Sequence, residues 1–231
     1  MKSLFLIPAR KGSKGIPKKN VKLLNGKPLI AYTIEYALQL AERENICIST
    51  DDPEVIEIAK SYNLSVPFVR PDHLAEDNAT SYDVIRHAID FYEDKGKVFD
   101  SIILLQPTSP FRKKEHLENA IKHFTNDVEA VFSVSITKSN PYHVLFEEDE
   151  NGYLQKSKEL GISRRQDAPV VYEANGSIYI IDVKAMKSND SWSDFNRIVK
   201  VEMPSIYSAD IDNMEDWNYC EFILEKGLLD T

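Results

Sequence analysis

Ser3-Leu4-Phe5-Leu6-Ile7-Pro8-Ala9-Arg10-Lys11-Gly12-Ser13-Lys14-Gly15-Ile16-Pro17-Lys18-Lys19-Asn20 begins as a short apolar run and passes directly into a loop crowded with cations. An apolar run of this length closed by proline and glycines predicts a buried strand followed by a loop. Gly12 and Gly15 allow the backbone to approach a ligand, and Arg10, Lys14 and Lys19 reach into the same space, so the segment predicts a cradle for phosphate. Arg10 and Lys19 are expected to lie on a solvent-facing loop and to contribute little to the core. The charge distribution points the same way. Lys2, Arg10, Lys11, Lys14, Lys18, Lys19, Lys22 and Lys27 precede the first acidic residue, Glu35, in a 231-residue chain with 28 Lys plus Arg, 37 Asp plus Glu and a net charge of -9. A nucleic-acid surface would be spread more widely and would not suit so acidic a chain; a small anion is the expected ligand. Neither the P-loop pattern nor a Gly-x-Gly-x-x-Gly fingerprint is present.

Outward from this loop the periodicity alternates. Strand-like runs at 3–8, 45–49, 66–69, 101–105 and 130–136 are separated by helical spacing at 28–41, 53–62, 80–94 and 113–125, with Asp52-Pro53 as cap and first-turn pair of the second helix. Such alternation predicts an α/β fold, a mainly parallel sheet with helices on both faces and ligands bound beyond the carboxyl ends of the strands. Positions 138–170 break the rhythm: Asn140-Pro141-Tyr142, the acidic run Glu147-Glu148-Asp149-Glu150 and Asn151-Gly152 predict an excursion of two short strands. The length suits one core, read as a single domain over 1–231. No apolar stretch approaches the roughly 20 residues of a membrane span, and no signal-peptide pattern opens the chain, so a cytoplasmic protein with no membrane partner is expected. Cys47 and Cys220 read as buried free thiols.

Asp210-Ile211-Asp212 ends a run, 198–209, with strand character. In an extended segment the two carboxylates share one side while Ile211 packs inward, giving a ligand pair for Mg2+, with Mn2+ as a substitute. The same motif also reads as a turn, or as Asp212 capping a helix that begins near Asn213. His116 and His123 could share a helical face, but no His-Glu-x-x-His zinc motif occurs, and no Gly-x-Ser-x-Gly elbow supports a hydrolase.

The segment 8–20 resembles the signature loop of the acylneuraminate cytidylyltransferases, which make CMP-activated sialic acids and related nine-carbon keto acids. Further blocks resemble that family in the same order: Ser49-Thr50-Asp51-Asp52, Arg70-Pro71-Asp72-His73-Leu74-Ala75-Glu76-Asp77, Leu104-Leu105-Gln106-Pro107-Thr108-Ser109-Pro110-Phe111-Arg112, Arg165-Gln166 with Asn175-Gly176-Ser177-Ile178-Tyr179, and Asp210-Ile211-Asp212. The resemblance implies a Rossmann-like nucleotidyltransferase fold and transfer of CMP from CTP to the anomeric hydroxyl of a nonulosonic acid, with pyrophosphate leaving. It implies Arg10 and Lys19 on the triphosphate, Ser13 and Lys14 as further loop contacts, Asn20 at nucleotide or sugar, Arg70 and Ser81 near the cytidine, and Asp210 and Asp212 on the metal. Gln106, Arg165 and Tyr179 match positions at the acceptor sugar, and 138–170 matches a dimerisation arm, implying a homodimer. From the residues alone, Arg70 also reads as a surface cation, Ser81 as a helix cap and Tyr179 as a core aromatic. Glu173 departs from the basic residue expected near a sialate carboxylate, which points either to a different pose, to a diamino acceptor such as legionaminic or pseudaminic acid, or to a solvated surface acid. The Lys18-Lys19-Asn20 ending and Arg165-Gln166 fit the sialate branch better than the eight-carbon Kdo branch. The joint presence of Arg10, Lys19, Asp210 and Asp212 argues against a catalytically silent nucleotide-binding protein.

Overall fold

Successive residues of the first strand, β1 (Ser3–Pro8), are buried on opposite faces: Leu4 and Leu6 in one core, Phe5 and Ile7 in the other. A strand apolar on both faces needs cover on both, and a computed structural model describing residues 1–161 and 164–229 shows that cover. The elements that follow are β2 (Leu23–Leu24), β3 (Lys27–Pro28), α1 (Leu29–Leu38), β4 (Ile46–Ser49), α2 (Pro53–Ser61), α3 (Ser81–Asp94), β5 (Ser101–Leu105) and α4 (Lys114–His123). Then come β6 (Ala130–Ile136), β7 (Phe146–Glu148), β8 (Leu154–Lys156), β9 (Tyr172–Asp182), α5 (Val183–Ser188), β10 (Ile198–Glu202) and α6 (Met214–Glu225). The main sheet has the order β10-β6-β9-β5-β1-β4, parallel throughout except for β9, which runs antiparallel to both neighbours.

The larger core lies between Phe5, Ile7, Ile103 and Leu105 of the sheet and the apolar faces of α1, α2, α4 and α6, with Trp217 among its largest fully buried side chains. On the other face Leu4, Leu6, Ile102 and Leu104 meet α3 and α5. The predicted caps form: Asp52 accepts from the Glu54 amide at 2.9 Å and Pro53 opens α2. Cys47 and Cys220 are buried free thiols, each pushed up to about 12 by burial. Among the described residues no helix is long and apolar enough to cross a membrane.

Two expectations are corrected. The run 66–69 forms only an isolated parallel bridge, Thr50 to Val69, because Pro67 and Pro71 remove ladder donors and restrict the residues before them. The strand expected over 198–209 stops at Glu202; Pro204 follows and the chain turns through a single helical turn, Ser205–Tyr207. The eleven-residue β9 is not among the strands expected from the periodicity, and Asn175-Gly176 lies within it as a bulge in a continuous strand: the β6 register shifts between Phe132 and Val134, and Gly176 adopts φ +70°. The excursion at 146–156 is the expected small hairpin, β7 pairing antiparallel with β8; positions 162 and 163 of the arm lie outside the described residues.

Candidate active site

β1, β4 and β5 run parallel, so their carboxyl ends open on one edge of the sheet, and the loops leaving them surround a cleft of about 310 Å³. Arg10, Gly12, Ser13, Lys14, Gly15, Lys19 and Asn20 come from the first loop, Arg70 from beyond β4, Thr80 and Ser81 from the start of α3, Gln106 and Thr108 from beyond β5, and Asp212 from the C-terminal region. The residues expected at the triphosphate, the cytidine and one side of the metal are therefore brought together. Two larger hollows, of about 890 and 910 Å³, lie at the amino ends of the strands around Met1 and Asp100 and carry no comparable set of cations and glycines.

The cation loop is tied down from several directions. Asn20, itself buried, donates to the Arg10 carbonyl at 3.0 Å, and the Lys11 amide donates to Asp51 at 2.8 Å. Lys19 does not face solvent as expected; its side chain is only 11% exposed, with Nζ donating to the Ile211 carbonyl at 2.6 Å and lying 3.6 Å from Asp212 Oδ1. Gly15, expected to make room for a ligand, makes room for the chain instead. A methyl there would stand 1.9 Å from the Asp212 carbonyl oxygen, whereas Gly12 faces open space. The phosphate loop and the Asp210–Asp212 segment are thus packed against each other, although almost the whole sequence separates them. Gly15→Ala is expected to lower stability by about 1–3 kcal/mol, the usual cost of overpacking, and to reduce turnover at least tenfold as the loop lifts from Asp212. Thermal melting and steady-state kinetics check both; an unaltered melting temperature and rate would contradict the close packing.

One wall of the cleft carries a buried cation. Arg70 is 4% exposed, so it is not a surface arginine, and it donates from Nη2 to the Ser49 carbonyl at 2.6 Å and from Nε to Ser49 Oγ at 3.1 Å. Burial pushes its guanidinium down to about 10; Asp51 counteracts this and Arg10 adds to it. It stays charged at neutral pH, and its remaining N–H groups are available to an anion or a carbonyl. Thr80, rather than Ser81, caps α3, in a capping box with Asp83. Ser81 Oγ is thereby left free of the capping role, and the Gln106 amide donates to it at 3.4 Å.

The two carboxylates are positioned differently. Ile211 is completely buried and its amide donates to the Thr108 carbonyl at 2.9 Å, which fixes Asp210 and Asp212 on either side of it. Asn213, not Asp212, caps α6, accepting from the Glu215 and Asp216 amides. The Asp212 carboxylate, 80% exposed, is therefore uncommitted to the helix. Asp210 is exposed and does not line the cleft. Its carboxylate is nonetheless pushed up, mainly by desolvation from the protein atoms beside it and further by Asp212, against the opposing hydroxyls of Thr108 and Ser109 and the charge of Lys19. Ser109 Oγ stands 3.4 Å from Asp210 Oδ1, and a methyl on Gly176 would come within 3.3 Å of Asp210 Oδ2, so the β9 bulge shapes this corner.

Two mutually repelling carboxylates, one disfavoured in its charged form and one open to solvent, suit a hard divalent cation that takes its remaining ligands from water and phosphate. No group of three or more His, Cys, Asp or Glu poised for a metal occurs among the described residues.

The acceptor residues are not gathered in the same way. Gln106 lines the cleft. Tyr179 packs edge-on against Phe132 with ring centroids 4.6 Å apart, and burial raises its hydroxyl pKa. Arg165 is exposed in a helical turn of the arm, and Glu173 is exposed opposite Ser135 near the start of β9; neither lines this chain's cleft.

Several supporting residues carry no signal in the sequence that marks their roles. Arg112 donates to the Gln106 carbonyl at 2.6 Å, the Ser177 carbonyl at 2.9 Å and Thr33 Oγ1 at 3.1 Å, joining the β5 turn to the β9 bulge and α1. Burial pushes it down to about 10. Asn175, 4% exposed, accepts from Ser133 Oγ at 2.6 Å and donates to Ser208 Oγ at 3.0 Å, while its carbonyl accepts from Ser109 at 3.1 Å. Asp77 bridges Arg10 and Lys14, both at 2.8 Å.

Comparison with known proteins agrees with this geometry. The family model described as Cytidylyltransferase matches residues 4–212. The chain is 37% identical over 229 residues to the CMP-N,N'-diacetyllegionaminic acid synthase of Legionella pneumophila, covering 97% of each. It is 39% identical to the N-acylneuraminate cytidylyltransferase of Escherichia coli O18:K1:H7, covering 97% of this chain and 52% of that one. The solved structure of a CMP:2-keto-3-deoxy-manno-octonic acid synthetase complexed with CTP shares the fold, with a TM-score of 0.70 at 18% identity over 98% of this chain and 100% of the other. A family model over most of the chain and relatives of this identity place it plainly: the chain belongs to the cytidylyltransferase family.

Proposed function

We propose that this chain, acting as a single cytidylyltransferase domain, transfers CMP from CTP to the anomeric hydroxyl of a nonulosonic acid, N-acetylneuraminic acid or a close relative. The observation that carries the reading is the convergence of Arg10, Lys14, Lys19 and Arg70 with Asp212 in one cleft. Arg10 and Lys19 hold the triphosphate, helped by Ser13 and Lys14; Asn20 fixes the loop backbone beside it. Arg70 and Ser81 face the cytidine. Gln106, whose amide both donates and accepts, faces the acceptor.

The acceptor oxygen forms a bond to the α-phosphorus, the bond from that phosphorus to the bridging oxygen breaks, and pyrophosphate leaves while the hydroxyl gives up its proton. Negative charge grows on the leaving oxygens during this step. Lys19, already held by the Ile211 carbonyl, stabilises it without reorganising, and Arg10 adds its charge from a loop whose backbone Asn20 fixes. Asp210 and Asp212 would hold a divalent ion, Mg2+ or in its place Mn2+, which supplies additional positive charge to the phosphate oxygens.

The arm carries exposed Val144, Leu145, Phe146, Tyr153, Leu154 and Leu160, a density of apolar side chains that supports a homodimer. In that dimer Arg165 and Glu173 act at the partner's cleft, which explains why their own chain's cleft excludes them. Tyr179 then shapes the acceptor pocket from behind.

A second reading, N,N'-diacetyllegionaminic acid as acceptor, is favoured by the match to the Legionella enzyme over 97% of both chains. Kinetics of pyrophosphate release with N-acetylneuraminic, legionaminic, pseudaminic and Kdo acids decides between them. A nine-carbon acid is expected to exceed Kdo at least tenfold in kcat/KM; equal or faster turnover of Kdo would overturn the acceptor class.

A further inference from the structure

Asp77 answers to two cations of the phosphate loop at once. Its Oδ1 lies 2.8 Å from Arg10 Nη2 and its Oδ2 lies 2.8 Å from Lys14 Nζ, while Arg10 Nη1 donates to the Ala75 carbonyl at 3.2 Å. The carboxylate thus spans the two side chains with one oxygen on each, the arrangement a phosphate would adopt between them. These hydrogen bonds and charges hold its pKa below the ordinary aspartate range, which favours the anion. The segment that carries it leads directly into Thr80 and Ser81 of the cleft wall.

Resting on the reading that Arg10 and Lys14 hold the nucleotide's phosphates, we propose that Asp77 is an internal counter-ion: it occupies those cations in the empty site, yields them to the triphosphate, and reclaims them as pyrophosphate departs. Its side chain is 52% exposed and Lys14's is 76% exposed, so the ion pairs are weak and a multiply charged polyphosphate displaces them readily. The cost of that displacement nevertheless falls on every anion that needs Arg10 and Lys14. By mass action an intramolecular competitor weakens the bound polyphosphate by the factor with which it occupies the free site. The factor is the same for every polyphosphate that needs both cations, CTP and pyrophosphate alike, and is absent for a ligand that never reaches the loop. Asp77 therefore tunes phosphate binding and pyrophosphate release without altering recognition of the cytidine.

Isothermal titration in excess chelator, with inorganic pyrophosphate and with cytidine, tests this on the parent, Asp77→Asn, Asp77→Glu and Arg10→Ala proteins. Asp77→Asn is expected to bind pyrophosphate at least fivefold more tightly and cytidine within a factor of two of the parent, with the pyrophosphate inhibition constant in turnover falling in parallel. Asp77→Glu, which keeps the charge, is expected to stay within a factor of two for both. Pyrophosphate binding to Asp77→Asn that is unchanged or weaker overturns the proposal, as does equal tightening in the Asn and Glu variants, because shape rather than charge would then be responsible. Arg10→Ala separates the premise: if it binds pyrophosphate as the parent does, the phosphate role of Arg10 fails irrespective of Asp77, whereas a weakened Arg10→Ala beside an unaltered Asp77→Asn leaves the phosphate role standing and removes only the counter-ion.

Discussion

Asp210→Asn and Asp212→Asn are each expected to lower turnover at least about tenfold, and excess EDTA to abolish it. An amide is a poor ligand for a hard divalent cation, and the charge that gathers on the phosphate oxygens is then left uncompensated. Neither variant is expected to lose stability. The Asp210 carboxylate is pushed up in pKa by desolvation and by Asp212, so making it neutral is not expected to depress the melting temperature. Loss of activity without loss of stability marks a residue retained for chemistry at some cost to the fold. Asp212 is open to solvent, and its neutral variant is expected to melt as the parent does. Full activity of both variants, or activity persisting in excess chelator, would sink the metal assignment.

Arg10→Ala and Lys19→Ala are expected to lower kcat/KM by roughly 10²–10³, the effect of removing one preorganised donor from developing charge. Their stabilities separate two roles that look alike in sequence. Arg10 pairs with the half-exposed Asp77, and an ion pair of that kind contributes about 0–1 kcal/mol; its removal should shift the melting temperature by no more than about 3 °C. Lys19 is nearly buried and donates to the Ile211 carbonyl. Losing a hydrogen bond from a charged group costs about 1.5–3 kcal/mol, so Lys19→Ala should melt several degrees lower, about 3–10 °C at this chain length. Parent-like turnover in either variant removes that residue from the phosphate cradle. A parent-like melting temperature for Lys19→Ala contradicts its role as a strut beneath the carboxylates.

Features set by neighbours in sequence are legible in the chain itself. The strand-loop passage at 3–20, the Asp52-Pro53 cap and, except at 66–69, the alternation of strand and helix up to β6 are of this kind, and they appear where expected. Features set by contacts closed across the fold are not. Nothing near Lys19 announces that its ammonium reaches a carbonyl 192 positions away, nor that Gly15 is small because Asp212 crosses over it. Asn175-Gly176 carries the local signature of a turn, and only pairing with β5 and β6 on both sides holds it as a bulge in a strand. Asp212 does not cap a helix because Asn213 with Asp216 makes the complete capping box one residue later. Arg165 and Glu173 lie outside the cleft lining, and nothing local in the sequence foretells that.

Phosphorus NMR of CTP incubated with the enzyme, Mg2+ and N,N'-diacetyllegionaminic or N-acetylneuraminic acid tests the proposed activity most directly. One phosphodiester signal for the CMP-sugar and one equivalent of pyrophosphate per CTP consumed are expected, with neither appearing when the sugar or the metal is omitted. Consumption of CTP at the same rate without the sugar, or no phosphodiester with any nine-carbon acid while CTP remains intact, would contradict it.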